Sequence, residues 1–181
     1  RRGPDHRARV AVSDSEPVRI YISGGSNIEP EANLRLALAE LRRRYGEVDV
    51  SPVYKTAAVG FEGDPFLNCV YSLTVRESAR AVVEFLEELH TLAGRVRGPD
   101  PFSARTLDLD LLLYGDAIIP EAPIKVPRKD IRQYAFVLKP LADIAPELPH
   151  PQSGETMAAL WASFPARDEA IERVDLDLAA G

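Results

Sequence analysis

The order in which the hydrophobic period changes along this chain constrains its fold more than any other feature. "VRIYISG" (18–24) alternates with period 2, which puts Val18, Ile20 and Ile22 on one face of a strand. "EPEANLRLALAELRRRYG" follows with Leu34, Leu38, Leu41 and Tyr45 at helical spacing, Pro30 in the first turn and Gly46 as a C-cap. "EVDVSPVYKT" reads as a second strand broken at Pro52, a Gly-containing loop covers 57–65, and "FLNCVYSLTV" (66–75) is a third strand. Residues 78–93 predict a helix capped by Ser78, with Val82, Phe85, Leu86 and Leu89 on its apolar side. A polar loop over 94–104 then leads into "RTLDLDLLLYG" (105–115). The order β-α-β-β-α-β predicts an α+β, ferredoxin-like core. Residues 117–164 form an appended C-terminal region, so 18–164 make one domain. Residues 1–17 read as a flexible tail, and 165–181 as a C-terminal tail with a short amphipathic piece.

The last strand carries two charges that a core would reject. Side chains at i and i+2 share a face, so Asp108 and Asp110 stand side by side, about 6.6 Å apart at strand rise, while Leu107, Leu109 and Leu111 take the other face. Two adjacent carboxylates favour a cation between them, and oxygen ligands suit Mg²⁺, which takes one or two carboxylates plus substrate phosphates. The alternative is an acidic solvent face, and "DLDL" recurs at 175–178 in the tail, where no function is assigned to it. Arg105 starts the strand, and Arg95 and Arg97 lie in the preceding loop. Guanidinium groups beside an acidic metal pair suit polyphosphate transfer, or they neutralise the acids as surface ion pairs. In the third strand Phe66 and Asn68 share a face. A ring and an amide at a strand end can hold a flat heterocycle. A core role for Phe66 is the other reading.

Composition narrows the partners. A net charge of −6 argues against a nucleic-acid or anionic-membrane surface. No apolar stretch is long enough to span a bilayer. The single cysteine, Cys69, sits in an apolar run and reads as a buried structural thiol, compatible with the cytoplasm.

Together these residues resemble a known family. "GGSN" after the first strand, "FEGDPFLN", "GRVR", "ARTLDLDLLLYG" and "YAFVLKPLADIAPE", in that order over residues 18–164, are similar to the 6-hydroxymethyl-7,8-dihydropterin pyrophosphokinases of folate biosynthesis. The resemblance implies transfer of the terminal diphosphate of ATP to a hydroxymethyl pterin, with release of AMP and use of two Mg²⁺ ions. It implies that Asp108 and Asp110 ligate both ions, that Arg95 and Arg105 engage the transferring phosphates and that Arg97 assists. The pterin would stack between Phe66 and Phe136. Asn68, Thr56 and backbone groups near Ala57 and Val59 would bond its polar edge, and Leu111 would offer backbone contacts to adenine. Loops 57–65 and 94–104 correspond to lids. The hydroxymethyl oxygen would attack the β-phosphorus in line, with metal activation or a carboxylate of the pair handling its proton. The sequence departs from the family pattern at Pro127-Arg128, His90, Phe102 and Tyr134. Arg128 is nonetheless a candidate phosphate contact.

Two rival readings remain at this stage. One is a nucleotidyltransferase, whose Gly-Gly-Ser and Asp-x-Asp signals "SGGS" and "DLD" imitate, though here a helix, two strands and a second helix separate them. The other is a non-catalytic ferredoxin-like binding module. "GGSN" itself reads as a tight turn with no assigned contact. ATP and the pterin are the expected partners, with no nucleic acid, membrane or protein partner.

Overall fold

A computed structural model describes residues 16–57, 64–97, 107–165 and 171–180, with the backbone alone for 95–97. Its strands are β1 (Val18–Ser26), β2 (Val48–Val50), β3 (Val53–Thr56), β4 (Phe66–Val75), β5 (Asp108–Tyr114) and β6 (Ile171–Val174). Its helices are α1 (Pro30–Tyr45), α2 (Ala79–Arg97), α3 (Asp130–Gln133), α4 (Ala135–Ile144) and α5 (Met157–Ala162). The sheet runs β5-β1-β4-β3-β6, with β2 also on β4, and every pairing is antiparallel. Through β5 this is the ferredoxin-like order that the period changes predict, and the appended region supplies α3, α4 and α5.

Each helix boundary has a local cause. Pro30 opens α1, where its missing N–H costs nothing, and Gly46 closes it at φ 90°, donating its N–H to the Arg42 carbonyl. The Ser78 hydroxyl accepts the Ala81 N–H at 3.1 Å at the start of α2. This helix runs through Arg97, longer than the expected 78–93. Thus "GRVR" lies on its last turn and not in a loop. The extension is Gly94-Arg95-Val96-Arg97, a glycine and two arginines around one valine, and so short a stretch shows no helical period. Pro52 breaks β2 from β3, as expected.

The sheet has an apolar layer on both faces. On one, Ile20, Ile22, Tyr71, Leu73, Leu109 and Leu111 meet Leu34, Leu38, Val82, Phe85 and Leu86 of α1 and α2. On the other, Tyr21, Val70, Leu112 and Leu113 meet Ile131, Leu138, Leu141 and Met157 of the appended region. Burying each such side chain contributes about 1.5–3 kcal/mol. A β-bulge lets β5 serve both layers. Ile22 pairs with Leu111 but Tyr21 pairs with Leu113, so Leu112 is the extra residue and Leu113 turns to the second face.

Two expectations change. "GGSN" is not a turn after β1, because Gly24, Gly25 and Ser26 are strand residues paired with Cys69, Asn68 and Leu67. A Cβ on Gly24 would lie 2.7 Å from the Tyr71 ring, so this glycine makes room for a buried tyrosine whose hydroxyl donates to the Leu34 carbonyl. The C-terminal segment does not fray from Ile171 onward. β6 adds to β3, Leu178 is buried in the first apolar layer, and Arg35 of α1 donates to the carbonyls of Asp177, Leu178 and Ala180. The tail copy of "DLDL" thus obeys the same alternation as β5, with its leucines turned inward. Residues 1–15 lie outside the described part of the chain.

Candidate active site

Antiparallel register decides what shares the second face of the sheet. Asp108 faces Gly25, Gly25 faces Asn68, Asn68 faces Tyr54 and Tyr54 faces Arg173. One row over, Asp110 faces Ser23, and on the far side Phe66, Thr56 and Ile171 pair in turn. Ser23 and Gly25 in the middle are too small to reach α4. The sheet therefore carries acids at one end, a ring and an amide at the other, and a low floor between.

The space above that floor is a cavity of about 710 Å³, roofed by the α3–α4 junction. Seven expected site residues line it: Thr56, Ala57, Phe66, Asn68, Asp108, Asp110 and Phe136. Ser23, Gly24, Gly25, Asp130, Gln133, Tyr134 and Ile171 line it as well. Tyr54 and Lys139 both bond the Asp143 carboxylate, which ties α4 to β3. Phe136, in the first turn of α4, stacks against Tyr134, with ring centroids 5.1 Å apart and planes 23° apart.

Asn68 is buried, and its amide donates to the Tyr54 carbonyl at 3.2 Å and to Thr56 Oγ1 at 3.1 Å. Both amide protons are thereby engaged by the protein. Asn68 keeps an acceptor, its Oδ1, for a ligand.

Burial raises the Asp110 carboxyl above the ordinary carboxylate range. The Arg128 guanidinium opposes this from 3.4 Å, while Asp108 and Asp130 add to the rise. Arg128 Nε also lies 3.5 Å from Asp130 but makes no hydrogen bond there and is buried. The backbone N–H of Arg128 donates to the Leu112 carbonyl, fixing the guanidinium at the edge of β5. Two carboxylates, Asp110 and Asp130, thus face the Arg128 guanidinium, with Asp108 next to Asp110 on the same strand face. Among the described residues no group of three His, Cys, Asp or Glu side chains is close enough to hold a metal by itself. A pair of carboxylates is nonetheless what Mg²⁺ asks of a protein when substrate phosphates and water complete its shell. The donor set fits that ion.

The profile of the 7,8-dihydro-6-hydroxymethylpterin-pyrophosphokinase family matches residues 21–146. This chain belongs to that family. It is a pyrophosphokinase of folate biosynthesis.

Relatives agree in extent. The 2-amino-4-hydroxy-6-hydroxymethyldihydropteridine pyrophosphokinase of Pseudomonas aeruginosa is 37% identical over 164 residues, covering 86% of this chain and 96% of that one. The Synechocystis enzyme of the same name is 37% identical over 139 residues, covering 75% and 71%. Among solved structures, the HPPK-DHPS of Plasmodium falciparum with pterin and p-hydroxybenzoate superposes with a TM-score of 0.66 at 14% identity, which bears on the fold alone. This chain covers 88% of its own length there and spans 45% of that longer chain.

Not every residue expected of a pyrophosphokinase falls on the cavity. Leu111 is buried in the first apolar layer. Arg128 stands behind Asp110 and not on the cavity lining. Val59 and Arg105 lie outside the described residues, as do the side chains of Arg95 and Arg97. The floor residues Ser23 and Gly25 were open to discovery from sequence, since period 2 puts them opposite Ile20 and Ile22. Ile171 was not, because no local pattern announces that a tail will pair with β3. Among the described residues no helix is long and apolar enough to cross a membrane.

Proposed function

We propose that this pyrophosphokinase transfers the terminal diphosphate of ATP to the hydroxymethyl oxygen of 6-hydroxymethyl-7,8-dihydropterin, using two Mg²⁺ ions at Asp108 and Asp110. The observation that carries this reading is one cavity with a carboxylate pair at one end and Phe66, Asn68 and Phe136 at the other. A flat heterocycle and a metal-bound polyphosphate need those two ends, joined by a floor low enough for the hydroxymethyl arm.

Phe66 and Phe136 stack on the pterin, and Asn68 Oδ1 accepts from its amino edge. Thr56 and the backbone near Ala57 and Val59 complete that edge. Arg95, Arg97, Arg105 and Arg128 bind the phosphates, and the Leu111 backbone meets the adenine. Bound Mg²⁺ supplies neutralisation of the phosphate charge and makes the attacking hydroxyl more acidic. The hydroxymethyl oxygen forms a bond to the β-phosphorus, the bond from that phosphorus to the α-phosphate oxygen breaks, and AMP leaves. The hydroxyl proton goes to solvent once the ion has made the hydroxyl more acidic, or to a carboxylate of the acidic pair.

We place the reaction in the cytoplasm, in keeping with the buried thiol of Cys69, which burial pushes up to about 12. The test is ATP binding with and without Mg²⁺. Wild type is expected to bind far more tightly with the ion, and Asp110→Ala to lose that difference while still binding the pterin. Mg²⁺-dependent ATP binding retained in Asp110→Ala would remove the metal assignment.

A further inference from the structure

β5 is an edge strand, with β1 on one side. The N–H of Leu109, in the peptide that joins Asp108 to Leu109, donates across to Nε2 of His90 at 2.8 Å. His90 belongs to α2, and its side chain is largely buried at 17% exposure. A ring nitrogen that accepts a hydrogen bond carries no proton, so the neutral ring holds its proton on Nδ1. Nδ1 lies 3.5 Å from the exposed Glu87 carboxylate, which favours that tautomer.

The bond's location matters more than its strength. It holds the peptide plane between the two carboxylate-bearing residues, and that plane sets the angle at which Asp108 and Asp110 leave the strand. It also ties this peptide to α2, whose last turn carries Arg95 and Arg97, about one and a half to two turns beyond His90. One imidazole therefore sets the acid pair relative to the helix end that bears the phosphate-binding arginines.

We propose that His90 is a positioning residue for the acidic pair, holding Asp108 and Asp110 at the spacing a phosphate-bound divalent cation requires. This rests on the reading of the pair as the metal site. Groups that orient metal ligands typically change metal affinity by about 10–100-fold when removed.

The test compares His90→Leu, which removes the acceptor, with His90→Gln, which offers an amide oxygen in place of Nε2. The probe is the Mn²⁺ complex of a non-hydrolysable ATP analogue, titrated by calorimetry, with pterin affinity and Leu109 amide exchange measured alongside. His90→Leu is expected to bind the complex about ten-fold more weakly, to expose the Leu109 amide to exchange, and to keep its pterin affinity. His90→Gln is expected to recover most of the binding. If His90→Leu melts earlier yet binds the complex as wild type does, the residue is structural and the proposal is wrong. If Asp110→Asn also binds the complex undiminished, the metal reading itself fails, and the positioning role with it.

Discussion

The Arg128 guanidinium sits 3.4 Å from the Asp110 carboxylate, behind it and close to Asp130. It is the positive charge that opposes the burial of Asp110 most strongly. Arg128 Nε is buried beside Asp130, but the side chain as a whole is 29% exposed, so the guanidinium is not sealed off from a ligand. A phosphate arriving beside the acid pair would find an arginine already held in place. Arg128→Ala is therefore expected to lower kcat/KM for ATP about ten-fold, or about 1.4 kcal/mol. Pterin affinity should stay unchanged. Equilibrium binding of each substrate to the variant checks this, and a loss confined to the pterin would contradict it.

Gly24 has a packing role that its neighbour Gly25 does not share. A Cβ at Gly24 meets the Tyr71 ring at 2.7 Å, whereas one at Gly25 meets Asn68 Oδ1 at 3.2 Å. Gly24→Ala should destabilise the fold by about 1–3 kcal/mol, the usual cost of overpacking. Gly25→Ala should instead weaken pterin binding, because it presses on the amide that receives the substrate edge. Urea unfolding of both variants, read beside their pterin affinities, separates the two effects.

His150 predicts a pH dependence of stability. It is buried, and its Nδ1 accepts the Gln152 N–H at 3.2 Å, so the folded protein favours the neutral ring. Burial lowers its pKa below 6.5, the Arg132 charge adds to this and Glu155 opposes it. With the folded value depressed, the unfolded chain binds the extra proton first as pH falls. The stabilising contribution is thus present above 6.5 and is lost between 6.5 and the depressed folded value. His150→Asn keeps an acceptor near Nδ1 but does not titrate. Its unfolding midpoint should vary less than that of wild type from pH 7 down through this window. Parallel curves for the two proteins would contradict the assignment.

Much of this architecture is legible in the order of periods, and the reasons for the exceptions are physical. Alternation fixes which residues of one strand share a face, so Asp108, Asp110, Phe66 and Asn68 could be paired within their own strands from sequence. It does not say which strands become neighbours. Period 2 puts Ser23 and Gly25 on one face of β1, but that they lie between the acids and the ring needs the placement of β1 between β4 and β5. Ile171 reaches the cavity only because β6 adds to β3. His90 shows the same limit. On α2 it reads as an ordinary half-buried residue, and its partner is a backbone N–H that no side-chain pattern reveals. The two copies of "DLDL" make the point most directly. Both turn leucines inward, but in β5 the aspartates face a cavity with an arginine behind them. In the tail the Asp177 carboxylate accepts the Ala179 N–H.

The central claim concerns which bond of ATP is broken. Incubation of the full chain with ATP, Mg²⁺ and 6-hydroxymethyl-7,8-dihydropterin, followed by separation of the nucleotide products, tests it most directly. The account predicts AMP in equal amount to the pterin diphosphate, and none when the pterin is omitted. Release of ADP or of free pyrophosphate, or no turnover at all in a folded protein that binds both substrates, would contradict it.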